Sequence, residues 1–140
     1  MRYKIGAAGI CIAALLLVLP VYAHHPFSAE YDANNPVNMM GMVTKIDWEN
    51  PHAHIYMDVK GTSGDTEHWT VELGNPKKLQ NLGWKKNMTV KMGDQVTVEG
   101  WKARDGSNRA NANTVTLAGG KKMAAGSSYS DRKKEKPTDN

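Results

Sequence analysis

"HAHIYMDVKGTSGDTEHWTVEL", residues 52–73, alternates its side chains twice around a single turn. In the first half Ala53, Ile55, Met57 and Val59 fall on one side, with His52, His54, Tyr56 and Asp58 on the other. In the second half Trp69, Val71 and Leu73 oppose His68, Thr70 and Glu72. A period of two belongs to strands, because successive side chains point to opposite faces of a sheet. "GTSGD" supplies the glycines and short polar residues of a turn. The stretch therefore reads as an antiparallel hairpin with one apolar and one polar face. An even register sets Tyr56 opposite His68, His54 opposite Thr70 and His52 opposite Glu72. Alternation fixes the faces but leaves the register open.

Upstream, "VNMMGMVTKIDWE" (37–49) has strand character through Val43, Thr44, Ile46 and Trp48. Gly41 marks a bulge or tight bend within it, and Asn50-Pro51 ends it. Residues 24–36, polar and bracketed by prolines, read as an irregular N-terminal arm. Downstream, "GNPKKLQNLGW" (74–84) changes the period. Asn75 suits a helix cap, Pro76 the first helical position and Gly83 the stop. Leu79 and Leu82, three apart, give that helix one apolar side. "DQVTVEGWKA" (94–103) and "ANANTVTLA" (110–118) are two further strands around the turn "RDGSN".

The order β-β-β-α-β-β predicts an all-β fold with one short helix. Over residues 37–122 it matches a small OB-like five-stranded antiparallel barrel. An open meander packed on the helix is the alternative, and closure is preferred because it hides sheet edges. Residues 123–140 carry Ser, Lys and Pro without apolar periodicity and read as a disordered basic tail.

The N-terminus has the form of an export signal. Arg2 and Lys4 precede an apolar run from Ile10 to Leu19, Pro20 breaks it, and Val21-Tyr22-Ala23 is a cleavage site. The run is short against the roughly 20 residues of a bilayer span. The expectation is a signal peptide at 1–23 and a periplasmic or secreted protein of a Gram-negative bacterium, without stable membrane insertion after cleavage. The single cysteine, Cys11, leaves with the signal. Stability must then come from a packed core, even in an oxidising compartment. The formal charge of +4 is carried by the ends, since ten bases and eleven acids lie between His24 and Gly120. That balance argues against nucleic acid as a partner.

All five histidines follow the predicted cut. Cleavage after Ala23 makes His24 the first residue, whose amine and ring chelate one ion together. A third nitrogen from His52 or His54 completes a T-shaped set suited to tetragonal Cu(II). The arrangement is similar to the histidine brace of exported copper proteins. His25 competes as a second-residue chelator, and His68 shares the polar face of the hairpin. The metal candidates are thus His24, His25, His52, His54 and His68, with copper as the metal. Met39, Met40 and Met42 add thioethers or simply pack. The plainer alternative gives His52 a structural bond and leaves His54 and His68 on a solvated face. In that case Trp48, Asn50, Tyr56 and Glu72 form a face for metal-free binding of a partner protein or small ligand. Glu30 and Asp32, flanking Tyr31, read as solvated arm residues. No Ser-His-Asp, HExxH or phosphate-cradling glycine pattern occurs, so binding rather than turnover is expected.

Five segments carry a resemblance: "AHHPFSAEYD", "VTKIDWENPHAHIY", "LGNPKKLQNLGW", "GDQVTVEGWKARDGSN" and "ANANTVTLAGGKK". Together they cover most of His24 to Lys122, and the chain resembles an uncharacterised family of small exported proteobacterial proteins, a domain of unknown function. The resemblance implies an N-terminal His-His after a signal peptide and implies no activity.

Overall fold

The structure, a computed structural model, describes residues 25–135. The predicted signal peptide and His24 lie outside the described residues. The elements are α1 (Phe27–Glu30), β1 (Tyr31–Asp47), β2 (His54–Lys60), β3 (Thr66–Glu72), α2 (Pro76–Asn81), β4 (Gln95–Ala103), β5 (Arg109–Thr116), β6 (Lys122–Ala124) and α3 (Ser128–Glu135).

β1 spans 17 residues and so serves two partners. Tyr31 to Met42 run antiparallel to β4, and Gly41 to Asp47 run antiparallel to β2. The two pairings overlap at Gly41, opposite both Val59 and Val96. A Cβ there would sit 2.5 Å from the Asp58 carbonyl oxygen and 2.6 Å from Met57 Cε, so the close approach of the strands requires glycine at 41, while the register irregularity expected there falls instead between Val43 and Lys45. The sheet runs β3-β2-β1-β4-β5-β6. It also returns on itself, because Thr70–Glu72 of β3 pair in parallel with Arg109–Asn111 of β5. Every other pairing is antiparallel.

The alternation of residues 52–73 sorts correctly into core and surface. Ala53, Ile55, Met57, Trp69, Val71 and Leu73 are buried, and they meet Val43, Val96, Val98 and Val115 from the other strands. Asn75 caps α2 by accepting from the Lys78 N–H at 2.8 Å, and Pro76 takes the first helical position. Leu79 is fully buried, whereas Leu82 is 40 % exposed. The helix stops at Asn81, so Leu82 falls in the cap and turns off the apolar side. Trp84 takes its place, buried with its indole N–H donating to the Ala124 carbonyl at 2.8 Å.

Four expectations need correction. The sheet has six strands rather than five. After Leu117 a tight turn, closed by the Leu117 N–H to Lys121 carbonyl bond, folds Lys122–Ala124 back on β5. Three residues with one buried side chain carry no readable period. Second, structure continues past the boundary set at residue 122. β6 leads into α3, which is held by Ser130 to Asn113 and Lys78 to Asp131 bonds rather than by an apolar stripe. Third, the arm is not irregular, because residues 27–30 form α1 and β1 begins at Tyr31. Phe27 and Tyr31 are 5 % and 4 % exposed, and residues 31–36 belong to β1. Fourth, the hairpin register is shifted by two: His54 pairs with Glu72, Tyr56 with Thr70 and Asp58 with His68. Such a shift preserves both faces, which is why alternation could not detect it. Among the described residues no helix is long and apolar enough to cross a membrane.

Candidate functional site

The parallel pairing of β3 with β5 creates the main polar site. It places Val71 beside Ala110 in the core and, one residue on, Glu72 beside Asn111 on the opposite face. Glu72 there collects three partners. The Tyr31 hydroxyl donates to its Oε2 at 3.0 Å, and the Asn111 amide donates to Oε1 at 3.0 Å. His52 Nδ1 stands 3.3 Å from the same Oε1. Asn111, 3 % exposed, accepts in turn from the Ser127 hydroxyl at 2.6 Å, and Ser127 Oγ accepts from the Tyr129 N–H at 3.2 Å. One continuous network therefore joins the start of β1, the approach to β2, the end of β3, β5 and the lead into α3.

Electrostatics assigns protonation states within it. Burial pushes the Glu72 carboxyl up, but the His52 hydrogen bond and charge, with the Tyr31 and Asn111 donors, outweigh it and hold it below the usual value. Burial, then the charge and bond of Glu72, raises the Tyr31 phenol, which stays a donor. The bond to Glu72 raises His52 against the opposing effect of burial. His54 moves the other way: its burial lowers it, and the Glu72 charge only partly offsets that. The surroundings thus favour the ionised form of Glu72 and the charged form of His52, and disfavour the charged form of His54.

A cavity of about 130 Å³ opens beside this network. His25, Glu30, His52 and Glu72 line it, with Phe27 and Tyr31 in its walls. The start of the described chain is thus seated against the approach to β2. Glu30 is not a free arm carboxylate, because Arg109 reaches it at 3.5 Å while lying over the Tyr31 ring. Asp32 accepts from the Asn34 N–H.

The predicted site residues disperse around this centre. His25, His52 and Glu72 converge on the cavity. His54, half-buried, sits across the ladder from Glu72 with its ring 6.5 Å from that of Tyr56. His68 is at the far end of the hairpin, 83 % exposed at the side chain and 2.6 Å from Asp58. Trp48 packs half-buried against the core, Asn50 is exposed, and Tyr56 lies under the Lys45 ammonium. Met39 is buried, whereas Met40 and Met42 are more than half exposed. Among the described residues no group of three or more His, Cys, Asp and Glu side chains is placed to hold a metal.

Tyr31, Asn111 and Ser127 were not expected at a site. The one local hint is "ANAN" (110–113), where small alanines flank an asparagine in a strand. Residues 13–113 match a family model described as a family of unknown function, DUF6152. No curated protein matches the chain.

Proposed function

The chain belongs to the family of unknown function DUF6152, and from its site we propose an exported binding protein that takes a transition metal, copper, at its N-terminal histidine. The observation that carries this reading is that His25 and His52 line one cavity while Glu72 holds the Nδ1 of His52. A carboxylate on one ring nitrogen fixes the tautomer and orientation in which the other nitrogen serves as a ligand. In the sequence His24 directly precedes His25, whose side chain lines that cavity. With the cut after Ala23, its amine and ring add two nitrogens to that of His52, a set suited to tetragonal Cu(II). His52 is favoured over His54 as the third ligand because it lines the cavity. The sequence of residues 1–23 supports export. The closed ring of pairings, with α2 between β3 and β4, supports an OB-like barrel to which β6 is an addition.

A second reading, metal-free recognition of a small ligand or partner at the same cavity, rests on the polar lining that His25, Glu30, His52 and Glu72 present there. Cu(II) competition titrations separate the two. Protein beginning at His24 is compared with protein carrying one extra glycine ahead of it, and with His52→Gln. The metal reading expects tight binding with a nitrogen-rich tetragonal spectrum, weakened at least tenfold by either change. Equal binding by the native and extended termini eliminates the terminal chelate. No binding by any form leaves the metal-free reading.

A further inference from the structure

A second cavity, of about 410 Å³, shares the walls Phe27 and Tyr31 but has neither a histidine nor a carboxylate in its lining. Its size is in the range of small-molecule sites, which bury a ligand against aromatic walls and orient it with a few polar groups. The aromatic part is rigidly built. Phe27 stacks on Tyr129 at 4.7 Å with 23° between the rings, and lies 5.6 Å from Tyr31. Trp101 braces both Phe27 and Tyr129 edge-on, at 5.4 Å and 4.6 Å. Phe27 and Tyr31 are nearly fully buried, so this wall exists before any ligand arrives.

The polar groups are two guanidiniums. Arg104 is held by its Nε donating to the Ser28 carbonyl at 2.8 Å, which sets the direction of its remaining donors. Arg132, on α3, is exposed at the same cavity. Neither forms an ion pair with a described carboxylate, in contrast to Arg109 with Glu30. Two planar cations without an ion-pair partner among the described residues, beside a preformed aromatic wall, are complementary to a flat, apolar anion. Guanidinium pairs with carboxylate through two parallel hydrogen bonds, and an aromatic ring stacks on the wall. We propose that this cavity binds a small soluble aromatic carboxylate, with its ring against the half-buried Tyr129 and Ala33 at the edge of this aromatic cluster and its charge toward Arg104 and Arg132. The site is separate from the histidine cavity and requires no metal.

The test uses the intact protein with a chelator present, so that the outcome is independent of the copper reading. Binding of the anionic dye 1-anilinonaphthalene-8-sulfonate is followed by fluorescence, with the uncharged N-phenyl-1-naphthylamine as its neutral counterpart and 2-naphthoate as competitor. The expected result is one saturable dye site, displaced by 2-naphthoate, at least tenfold tighter for the anion than for the neutral dye. Affinity should fall as salt screens the guanidiniums. Ala33→Leu, which fills the cavity without removing a charge, and the double change Arg104→Gln with Arg132→Gln should each weaken binding at least tenfold. Because Arg104 also holds Ser28, Arg132→Gln alone provides a second measurement, with at least threefold weakening expected. Equal affinity for both dyes, failure of 2-naphthoate to compete, or unchanged binding in Ala33→Leu or Arg132→Gln overturns the proposal. So does the absence of saturable binding.

Discussion

The hairpin of β2 and β3 carries the same chemical pair near both ends, and the two pairs have opposite character. At the turn end His68 meets Asp58 at 2.6 Å, with side chains 83 % and 37 % exposed. At the other end His52 meets Glu72 at a longer 3.3 Å, with 24 % and 15 % exposed. Distance alone ranks the first pair higher, yet water and salt screen it, and exposed ion pairs contribute about 0–1 kcal/mol. The second pair is embedded among Tyr31 and Asn111, and its removal would strand buried donors. The lesson is that burial and shared partners, rather than separation, decide which ion pair organises the molecule.

Replacing the two carboxylates in turn tests this contrast most strongly. Glu72→Ala leaves the Tyr31 hydroxyl, the Asn111 amide and His52 without their common acceptor, and should cost about 3 kcal/mol in urea unfolding. Asp58→Asn should change stability by about 0.5 kcal/mol or less. Equal losses would break the comparison. Next in size is Ser127→Ala, which leaves the buried Asn111 Oδ1 without its donor and should cost about 1–2 kcal/mol. Hydrogen exchange should speed up in α3 in this variant, because Ser127 also holds the Tyr129 N–H at the start of that helix.

A smaller effect appears in the pH dependence. The folded pKa of His52 is raised, so its contribution is complete below the ordinary imidazole value and is lost as pH rises through the raised one. The folded pKa of Glu72 is lowered, so its contribution is complete above the ordinary carboxylate value and is lost as pH falls through the lowered one. The stability gap between native protein and His52→Gln should therefore be widest at about pH 5–6 and shrink toward alkaline pH in thermal melts. His54 has the reverse sign. Its folded pKa is lowered, so it destabilises the fold as pH drops below the ordinary imidazole value, and His54→Gln should gain on the native protein under acid conditions. The smallest change is expected for His68→Ala, at about 0.5 kcal/mol or less and diminishing further with added salt.

Strand faces, turn positions and the α2 cap were legible because each depends on neighbours a few residues apart. Ile55, Met57, Val71 and Leu73 go inward, and Asn75-Pro76 start the helix, as their local pattern requires. The participation of His52 and Glu72 was partly legible as well, since both lie on the polar face of the hairpin. Their actual register was not, because a shift of two leaves every face unchanged. β6 and α3 had no apolar period to announce them, and each is fixed by contacts with distant chain.

Amino-acid order by itself determined a mostly β body with a capped helix at Asn75-Pro76, a near-neutral balance over residues 24–120 and histidines confined to residues 24–68. Only the tertiary structure decided which polar residues act together. Tyr31 and Asn111 reach Glu72 across separations of 41 and 39 residues, through the parallel closure of β3 on β5. Periodicity encodes the direction in which a side chain points from its own strand. The neighbour it finds there depends on which strands pair and in what register, and that is settled by the packing of the whole chain.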